Sequence, residues 1–221
     1  MTGILDYIVI VVASYLIGAI PFGYLMVKIA KRGEDIRNYG SHAIGATNVL
    51  RVLGTKAFVA CMILDAAKGY LPTLITWYVF HSFDLQVAAG IAAVIGHDFP
   101  VYIHFKGGRG VAACFGVYAA LAMPLAVGMV AFGIFLVLTL RYMSVMSMVT
   151  VPGGAAVLLL LAILHVSDDF NYTKTIFGAF ATFSVLITHI PNIRRLIRGT
   201  EPRIGESERR AVRARERARP T

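Results

Sequence analysis

The stretch that decides the fold is GVAACFGVYAALAMPLAVGMVAFGIFLVLTL, residues 110–140. A membrane-spanning helix needs about 20 predominantly apolar residues, and this run is about half as long again. Pro124 lies near its middle and marks either a kink in one long helix or a tight turn between two helices. The number of spans in the whole chain depends on which of these the proline makes.

The positions of Lys and Arg favour the turn. Short loops rich in these residues face the cytoplasm. They occur here in four regions, namely 30–56, 106–109, the position of Arg141, and 194–198. A single span over 110–140 would put the regions before and after it on opposite faces of the membrane, whereas a break at Met123–Pro124 puts all four on one face.

We therefore expect an all-α integral membrane protein with about seven transmembrane helices, an N-terminus outside and a cytoplasmic C-terminus. The apolar stretches are roughly 4–29, 56–80, 86–104, the two parts of 110–140 with the first part short, 144–165 and 173–191. Residues 1–204 would form the membrane domain. Residues 205–221 would form a disordered basic tail near anionic lipid headgroups.

The composition agrees with a membrane protein and excludes other classes. The chain has 221 residues, 57% of them hydrophobic and 15% charged, which is unlike a soluble domain. Its net charge of +9 does not indicate a nucleic-acid partner, because the cations lie between apolar runs and in the tail. Cys61 and Cys114 lie inside apolar segments without metal-ligand spacing, so we predict no disulfide, no metal site and no cofactor.

The segment YGSHAIGATNVLR, residues 39–51, is the first of three polar segments on the predicted cytoplasmic face. Its small polar residues and free backbone groups need water or protein partners and cannot face lipid. Ser41, Thr47, Asn48 and Arg51 together offer donors for an anion and for hydroxyl groups. An ordinary connecting loop is the alternative.

The second polar segment is HFKGGRGVAA, residues 104–113. Gly107, Gly108 and Gly110 permit positive φ angles, which would turn successive N–H groups toward one anion. The helix expected to follow adds the positive end of its dipole, and Lys106 and Arg109 add full charges. The segment predicts a phosphate site, and a glycine-rich turn on the basic side of the membrane is the alternative.

The third polar segment is THIPNIRRLIRGTE, residues 188–201. His189 and Asn192 are three residues apart and would share one face of a helix, although a lone histidine at this depth is often only a polar anchor. The arginines that follow are typical of stop-transfer charges. Glu201 would pair with them as a structural clamp more readily than act as a base.

Weaker candidates lie between these segments. Asp65 and Lys68 are ionisable residues inside an apolar run, so they are either functional or a structural ion pair. His97 and the adjacent Asp98 could form an acid–base pair. Ser144 begins a predicted helix near the inner face and could cap it.

Five segments resemble the successive motifs of the bacterial acyl-phosphate:glycerol-3-phosphate acyltransferase family (PlsY type). They are SYLIGAIPFGYL, GSHAIGATNVLR, LDAAKGYLP, IGHDFPVYIHFKGGRGVA and HIPNIRRLIRGTE, and the resemblance covers about residues 14–205. It implies a seven-helix enzyme of the bacterial inner membrane with its active site at the cytoplasmic face. It also implies transfer of a fatty acyl group from acyl phosphate to the 1-hydroxyl of glycerol 3-phosphate, giving lysophosphatidic acid and phosphate, the first acylation of phospholipid synthesis.

The resemblance also implies roles for individual residues. The candidate catalytic residues are Ser41, Arg51, His189 and Asn192. The candidate phosphate-binding residues are Gly45, Asn48, Lys106, Gly107, Gly108, Arg109 and Gly110. The candidate supporting residues are Lys68, His97, Ser144 and Glu201.

Two departures from the family pattern stand out. Members commonly read GSGN where this chain has His42 and Ala43, and commonly read GGKG where it has Arg109. Arginine keeps the charge of the lysine but changes the hydrogen-bond geometry. A duplicated copy with altered chemistry is therefore one alternative to the expected enzyme.

The expected mechanism is direct attack of the glycerol hydroxyl on acyl phosphate, which is already an activated mixed anhydride. The sequence has no GxSxG nucleophile motif that would indicate an acyl-enzyme. Two further classes remain as alternatives: a phosphate or organophosphate transporter, for which we find no repeat, and a lipid-binding scaffold. The expected partners are the two substrates and membrane lipid, and the oligomeric state stays open, with a monomer among the options.

Overall fold

The computed structural model describes residues 3–40, 42–167 and 169–205, and this part of the chain is helical, without strands. The helices are α1 (Ile4–Gly18), α2 (Phe22–Ala30), α3 (Ala46–Leu53), α4 (Thr55–Phe80), α5 (Phe83–Asp98), α6 (Val111–Leu121), α7 (Met123–Leu140), α8 (Met143–Ile163), α9 (Tyr172–Thr188) and α10 (Ile190–Ile197). The predicted all-α fold class is confirmed.

Most of these helices suit a bilayer. Five stretches of the described chain are long and apolar enough to cross a membrane: Ile4–Ala30, Thr55–Phe80, Phe83–Ile103, Met123–Leu140 and Met143–Ile163. The pair α9 and α10, bent by 55°, makes a sixth if it counts as one span. The protein is thus a multi-pass membrane protein. The count of seven stays a prediction, because α6 is shorter than a full span.

The break predicted at Met123–Pro124 is confirmed. Helix α6 ends at Leu121, and Pro124 lies in the first turn of α7, where its missing N–H would have had no helical partner. The carbonyl of Leu121 accepts a hydrogen bond from Lys174 Nζ at 2.9 Å. The carbonyl of Ala120 accepts a longer one from Gln86 Nε2 at 3.4 Å. A short helix can therefore end inside the protein without losing these partners.

The first predicted span is not one uninterrupted helix. The chain breaks between α1 and α2 at Ala19–Pro21, because Pro21 lacks the N–H that a continuous helix would use. The carbonyl of Ile20 at this break accepts a hydrogen bond from Lys68 Nζ at 2.8 Å. The break is thus held by a charged side chain from α4.

Glycines let two pairs of helices approach closely. A Cβ at Gly18 of α1 would meet the backbone of Ala93 in α5. A Cβ at Gly116 of α6 would meet the carbonyl of Ala66 in α4. Small residues at such contacts are typical of packing between membrane helices. The connection between α5 and α6, which contains the glycine loop (residues 106–110), is thereby fixed against α1 and α4.

Candidate active site

The segment 39–51 is shaped by Asn48, at the start of α3. The Asn48 Nδ2 group donates to the carbonyls of Ile36, Tyr39 and Ala43 at 3.1, 2.9 and 2.9 Å. This buried amide therefore folds the loop around itself, which fits a residue that shapes the site better than one that contacts phosphate. Ser41 lies outside the described residues.

Gly45 and Arg51 mark the two ends of α3. Gly45 is its N-cap, and a Cβ there would meet no heavy atom within 4 Å, so the fold does not require a glycine at this position. Arg51 lies in the last turn, and its Cδ would be 3.3 Å from a Cβ at Gly40. The Arg51 side chain thus passes next to Gly40.

The glycine loop differs in detail from the predicted anion nest. Only Gly110 of its three glycines has a positive φ, +68°, at the N-cap of α6. Gly107 and Gly108 are needed for space instead, because a Cβ at Gly107 would meet the carbonyl of His97 and one at Gly108 would meet its imidazole ring. The Gly108 N–H donates to the His97 carbonyl at 3.1 Å, so this amide is not available for phosphate.

His189 and Asn192 lie at the junction of α9 and α10, and both are buried. His189 Nδ1 is 2.8 Å from the carbonyl of Val185. Since a carbonyl oxygen only accepts, Nδ1 carries the proton and Nε2 is left as the acceptor of the neutral ring. Asn192 Nδ2 donates to Glu201 Oε1 at 2.6 Å, while its Oδ1 is buried without a hydrogen-bond partner among the described residues.

Glu201 forms the predicted clamp with Arg195. Arg195 Nε donates to Glu201 Oε2 at 2.7 Å. Burial alone would raise the pKa of the Glu201 carboxyl, but the contacts of Asn192, Ser144 and Arg195 outweigh burial and lower the pKa. The clamp is therefore charged at neutral pH.

Ser144 does not cap α8, because Tyr142 is the N-cap residue and no side chain caps this helix. The Ser144 hydroxyl is buried beside the Glu201 carboxylate, close enough to lower its pKa. The Ser144 Oγ atom nevertheless forms no hydrogen bond with any described residue. Two hydrogen bonds join the start of α8 to the chain after Glu201. The Ile204 N–H donates to the Arg141 carbonyl at 2.9 Å, and the Arg141 guanidinium donates to the Ile204 carbonyl at 2.7 Å.

Three arginines from separate segments, Arg51, Arg109 and Arg195, lie within electrostatic reach of one another and of the Glu201 carboxylate. Burial lowers the pKa of the Arg51 guanidinium; the charge of Glu201 opposes this and that of Arg195 adds to it. Burial also lowers the pKa of Arg109, and so do the positive charges of Arg195 and Arg51. Because guanidinium groups stay protonated, the cluster has an excess of positive charge. His189 lies within electrostatic reach of Arg109, Arg195 and Glu201.

A cavity of about 690 Å³ lies next to the glycine loop. Its lining includes Lys106, Gly107 and Gly108 from the loop, His42 from the segment 39–51, and Thr188 beside His189. Arg51, Arg109 and His189 are not among its lining residues, so the cavity and the arginine cluster are neighbouring features that meet at the glycine loop. Together they bring the three predicted polar segments to one place.

The weaker candidates form a buried chain beneath the loop. The predicted pair of Asp65 and Lys68 is present, with Lys68 Nζ 3.0 Å from Asp65 Oδ1. His97 Nδ1 lies 3.7 Å from the same oxygen. The side chains of His97 and Asp98 form no hydrogen bond or ion pair with each other; Asp98 Oδ2 accepts a hydrogen bond from Ser184 Oγ at 2.7 Å, while His97 faces Asp65.

Sequence reasoning missed two contributors to the site. The sequence predicts Arg195 as a stop-transfer charge that can pair with Glu201, but not as a contributor to substrate binding, although its spacing of three from Asn192 on a helix indicates a shared face. Ser184, which ties α9 to Asp98 below the glycine loop, gave no signal in the sequence because its partner lies on another helix.

The comparisons with known proteins agree on one family. The family model for glycerol-3-phosphate acyltransferase matches residues 8–199. The glycerol-3-phosphate acyltransferase of Trichlorobacter lovleyi is 42% identical over 192 residues, covering 86% of this chain and 94% of the relative. That of Prochlorococcus marinus (strain NATL2A) is 37% identical over 193 residues, covering 87% and 96%.

Two crystal structures of PlsY (YgiH), an integral membrane glycerol 3-phosphate acyltransferase, share the fold. The glycerol 3-phosphate form superposes with a TM-score of 0.79 at 34% identity, covering 91% of this chain and 97% of that one. The lysophosphatidic acid form gives a TM-score of 0.79 at 32% identity, covering 90% and 95%. The chain therefore belongs to the glycerol-3-phosphate acyltransferase family.

Proposed function

We propose that this protein transfers a fatty acyl group from acyl phosphate to the 1-hydroxyl of glycerol 3-phosphate, releasing lysophosphatidic acid and inorganic phosphate. The observation that carries the proposal is that Arg51, Arg109 and Arg195, from three separate segments, lie within electrostatic reach of one another next to the glycine loop. Positive charge concentrated at one place on a protein favours an anionic ligand, and arginine binds phosphate with two parallel hydrogen bonds.

Two phosphate groups must be held together for this reaction. We assign one to Arg109, Lys106 and the start of α6, and the other to Arg51 with Ser41. The positive end of the α6 dipole adds to the first site. Holding both substrates in one orientation replaces a bimolecular encounter and supplies a large part of the rate enhancement.

The transfer needs no covalent acyl-enzyme. The hydroxyl oxygen of glycerol 3-phosphate attacks the carbonyl carbon of acyl phosphate and forms the ester bond. The bond between that carbon and the phosphate oxygen breaks, and phosphate leaves with the electron pair. The hydroxyl proton passes to His189 or to the departing phosphate.

His189 and Asn192 orient the nucleophile in this scheme. His189 Nε2 is the acceptor that remains after Nδ1 donates to Val185. Burial of the ring, and after it the neighbouring guanidinium groups, disfavour a second proton, so Nε2 can accept the hydrogen of the attacking hydroxyl. Asn192 Oδ1, held in place because its Nδ2 donates to Glu201, offers a second acceptor for a substrate hydroxyl.

The location follows from the same assignment. We place the protein in the inner membrane of a bacterium, with the arginine cluster at the cytoplasmic face because the basic loops lie at that end. The acyl chain would lie among the apolar helices and reach the lipid. A single chain supplies every residue assigned here, so the proposal requires no second subunit.

The function is tested with the purified full-length protein in detergent. Palmitoyl phosphate and glycerol 3-phosphate should give equimolar phosphate and lysophosphatidic acid. Acylation with acyl-CoA or acyl carrier protein but not with acyl phosphate would refute the donor. No turnover with any donor would refute the enzyme and favour a scaffold.

Arg51→Ala and His189→Ala test the assigned roles. Each should lower kcat/KM by at least about 100-fold, since each removes a charge or acceptor aimed at the reacting groups. Arg194→Ala is the matched control, because Arg194 is exposed on α10 and makes none of these contacts. A near-normal rate for either test variant would exclude that residue from the mechanism.

A further inference from the structure

We infer that Asp65, Lys68 and His97 form a positioning unit that fixes the glycine loop relative to the segment 39–51. The inference rests on the proposed function, because it takes both segments to bind substrate phosphate. None of the three side chains lines the cavity next to the glycine loop. They act through the backbone on which the phosphate-binding groups are placed.

The first contact leads from α4 to the glycine loop. Lys68 Nζ lies 3.0 Å from Asp65 Oδ1, and His97 Nδ1 lies 3.7 Å from the same oxygen. The His97 ring packs directly against Gly108, where even a methyl group would overlap its Nε2 atom. The Gly108 N–H also donates to the His97 carbonyl at 3.1 Å. The His97 ring therefore supports the glycine loop from below at Gly108.

The second contact leads from the same lysine to the other segment. Lys68 Nζ donates to the carbonyl of Ile20 at 2.8 Å, at the break between α1 and α2. Helix α2 then packs against the segment 39–51, since a Cβ at Gly23 would meet the Ile44 carbonyl and lie 3.1 Å from Val49 Cγ2. The Lys68 ammonium group is thus linked to both phosphate-binding segments, directly through Ile20 on one side and through Asp65 and His97 on the other.

Stability alone does not explain this arrangement. The side chains of Asp65, Lys68 and His97 are only 2–4% exposed. Burying such a pair carries a desolvation cost that apolar residues of the same volume would avoid. Ionisable residues inside membrane proteins are expensive and commonly serve function. This desolvation cost is consistent with a unit that fixes the positions of the phosphate-binding segments.

Lys68→Met tests the unit, with Lys174→Met as the matched control. Both lysines are buried and donate to a carbonyl at a helix end, but Lys174 lies at the opposite end of α6 from the glycine loop. Lys68→Met, alone and with Asp65→Asn to remove the unpaired charge, should raise KM for at least one substrate by about tenfold. Lys174→Met should lower Tm and leave both KM values unchanged.

Two results would overturn the inference from this series. One is a lowered Tm with normal KM values for both Lys68 variants. The other is an equal KM change in Lys174→Met. A second series covers the case in which the Lys68 variants do not fold.

Gly108→Ala and His97→Ala, alone and combined, form that second series. Gly108→Ala should push the loop away from the His97 ring, and His97→Ala should remove the ring against which Gly108 packs. If the two groups touch as described, the double variant should recover at least about fivefold of the kcat/KM lost in Gly108→Ala, because the ring that the methyl group overlaps is gone. Strictly additive losses would refute the contact.

Wild-type turnover separates this inference from the proposed function. An inactive wild type would contradict the function, and the same variants would then be compared for binding of inorganic phosphate by isothermal calorimetry. Active wild type with unaffected Lys68 and His97 variants would contradict only the positioning unit.

Discussion

Arg109 contributes a full positive charge to the glycine loop. It is part of the arginine cluster, and its carbonyl accepts a long contact of 3.5 Å from Thr188 Oγ1. Only the side chain is changed by substitution, so the loop itself should keep its place. Lysine would retain the charge and lose the two-point contact with phosphate.

We therefore expect Arg109→Lys to keep activity within about tenfold of wild type, with the change in KM of one substrate, while Arg109→Ala should lose at least about 100-fold in kcat/KM. Steady-state kinetics with each substrate varied in turn would measure both. Equal losses in the two variants would contradict a role based on charge.

Glu201 holds Asn192 and Arg195 together. In Glu201→Ala the buried amide nitrogen of Asn192 would lose its acceptor, and kcat should fall by about tenfold or more. Glu201→Gln keeps an acceptor for Asn192 and loses the charge opposite Arg195, so its kcat should fall less. A greater loss in the glutamine variant would contradict this order.

The pH dependence of the clamp has a definite sign. The pKa of Glu201 is lowered in the folded protein, so its contribution to stability is present above the ordinary glutamate value of 4.5 and is lost as pH falls through the lowered value. We expect no loss of kcat from this group between about pH 5 and 8. An acid limb in that range that disappears in Glu201→Gln would refute the assignment.

At the level of residues, the sequence predicted chemistry better than geometry. The pair Asp65 and Lys68 was predictable because residues three apart share a helix face. The contact between His97 and Asp65 was not, since it depends on how α4 and α5 pack. Gly107 and Gly108 looked like positive-φ positions, and only the structure reveals that the His97 backbone and ring occupy the space of their side chains.

Helix α6 shows how close packing and the site depend on each other. Its contact with α4 is between backbones at Gly116, and backbone atoms cannot move aside as a flexible side chain can. The N-terminus of the same helix starts at Gly110, the last residue of the glycine loop. Displacing α6 should therefore displace the loop.

Gly116→Ala tests this dependence. We expect it to lower the free energy of unfolding by about 1–3 kcal/mol through overpacking, and to raise the KM of the substrate bound by the loop. Gly128→Ala in α7 is the control, because a Cβ there meets no heavy atom within 4 Å. Thermal unfolding in detergent and kinetics would measure both effects, and an unchanged Tm for Gly116→Ala would contradict the close packing.

At the level of elements, the turn at Pro124 was predictable because charge on either side of it had to face one way. The break between α1 and α2 was not predicted, although Pro21 was visible in the sequence. An apolar run with one proline is typical of a continuous span. That the free carbonyl of Ile20 at the break finds a donor in Lys68 is visible only once the helices are packed. Here too the decisive contact joins residues on different helices, and sequence periodicity does not predict such contacts.

For the whole molecule, the orientation in the membrane remains a prediction from the basic loops. A cysteine introduced at Gly205 should be protected from an impermeant thiol reagent added outside intact cells. His81→Cys, at the exposed end of α4 on the opposite side, should be labelled. Cys61 and Cys114 are buried and should not react with the reagent. Labelling at residue 205 but not at residue 81 would show the opposite orientation in the membrane.

The ending of α6 at Leu121 also bears on how the protein is made. With 11 residues the helix is roughly 16 Å long, about half of a hydrocarbon core. Such a segment is too short to be retained in the bilayer as it emerges during synthesis. Lys174, the donor at its end, is translated later than α6, α7 and α8. Stable insertion of α6 must therefore wait for α9, so a chain truncated before residue 172 would leave the Leu121 end of α6, opposite the glycine loop, without its donor.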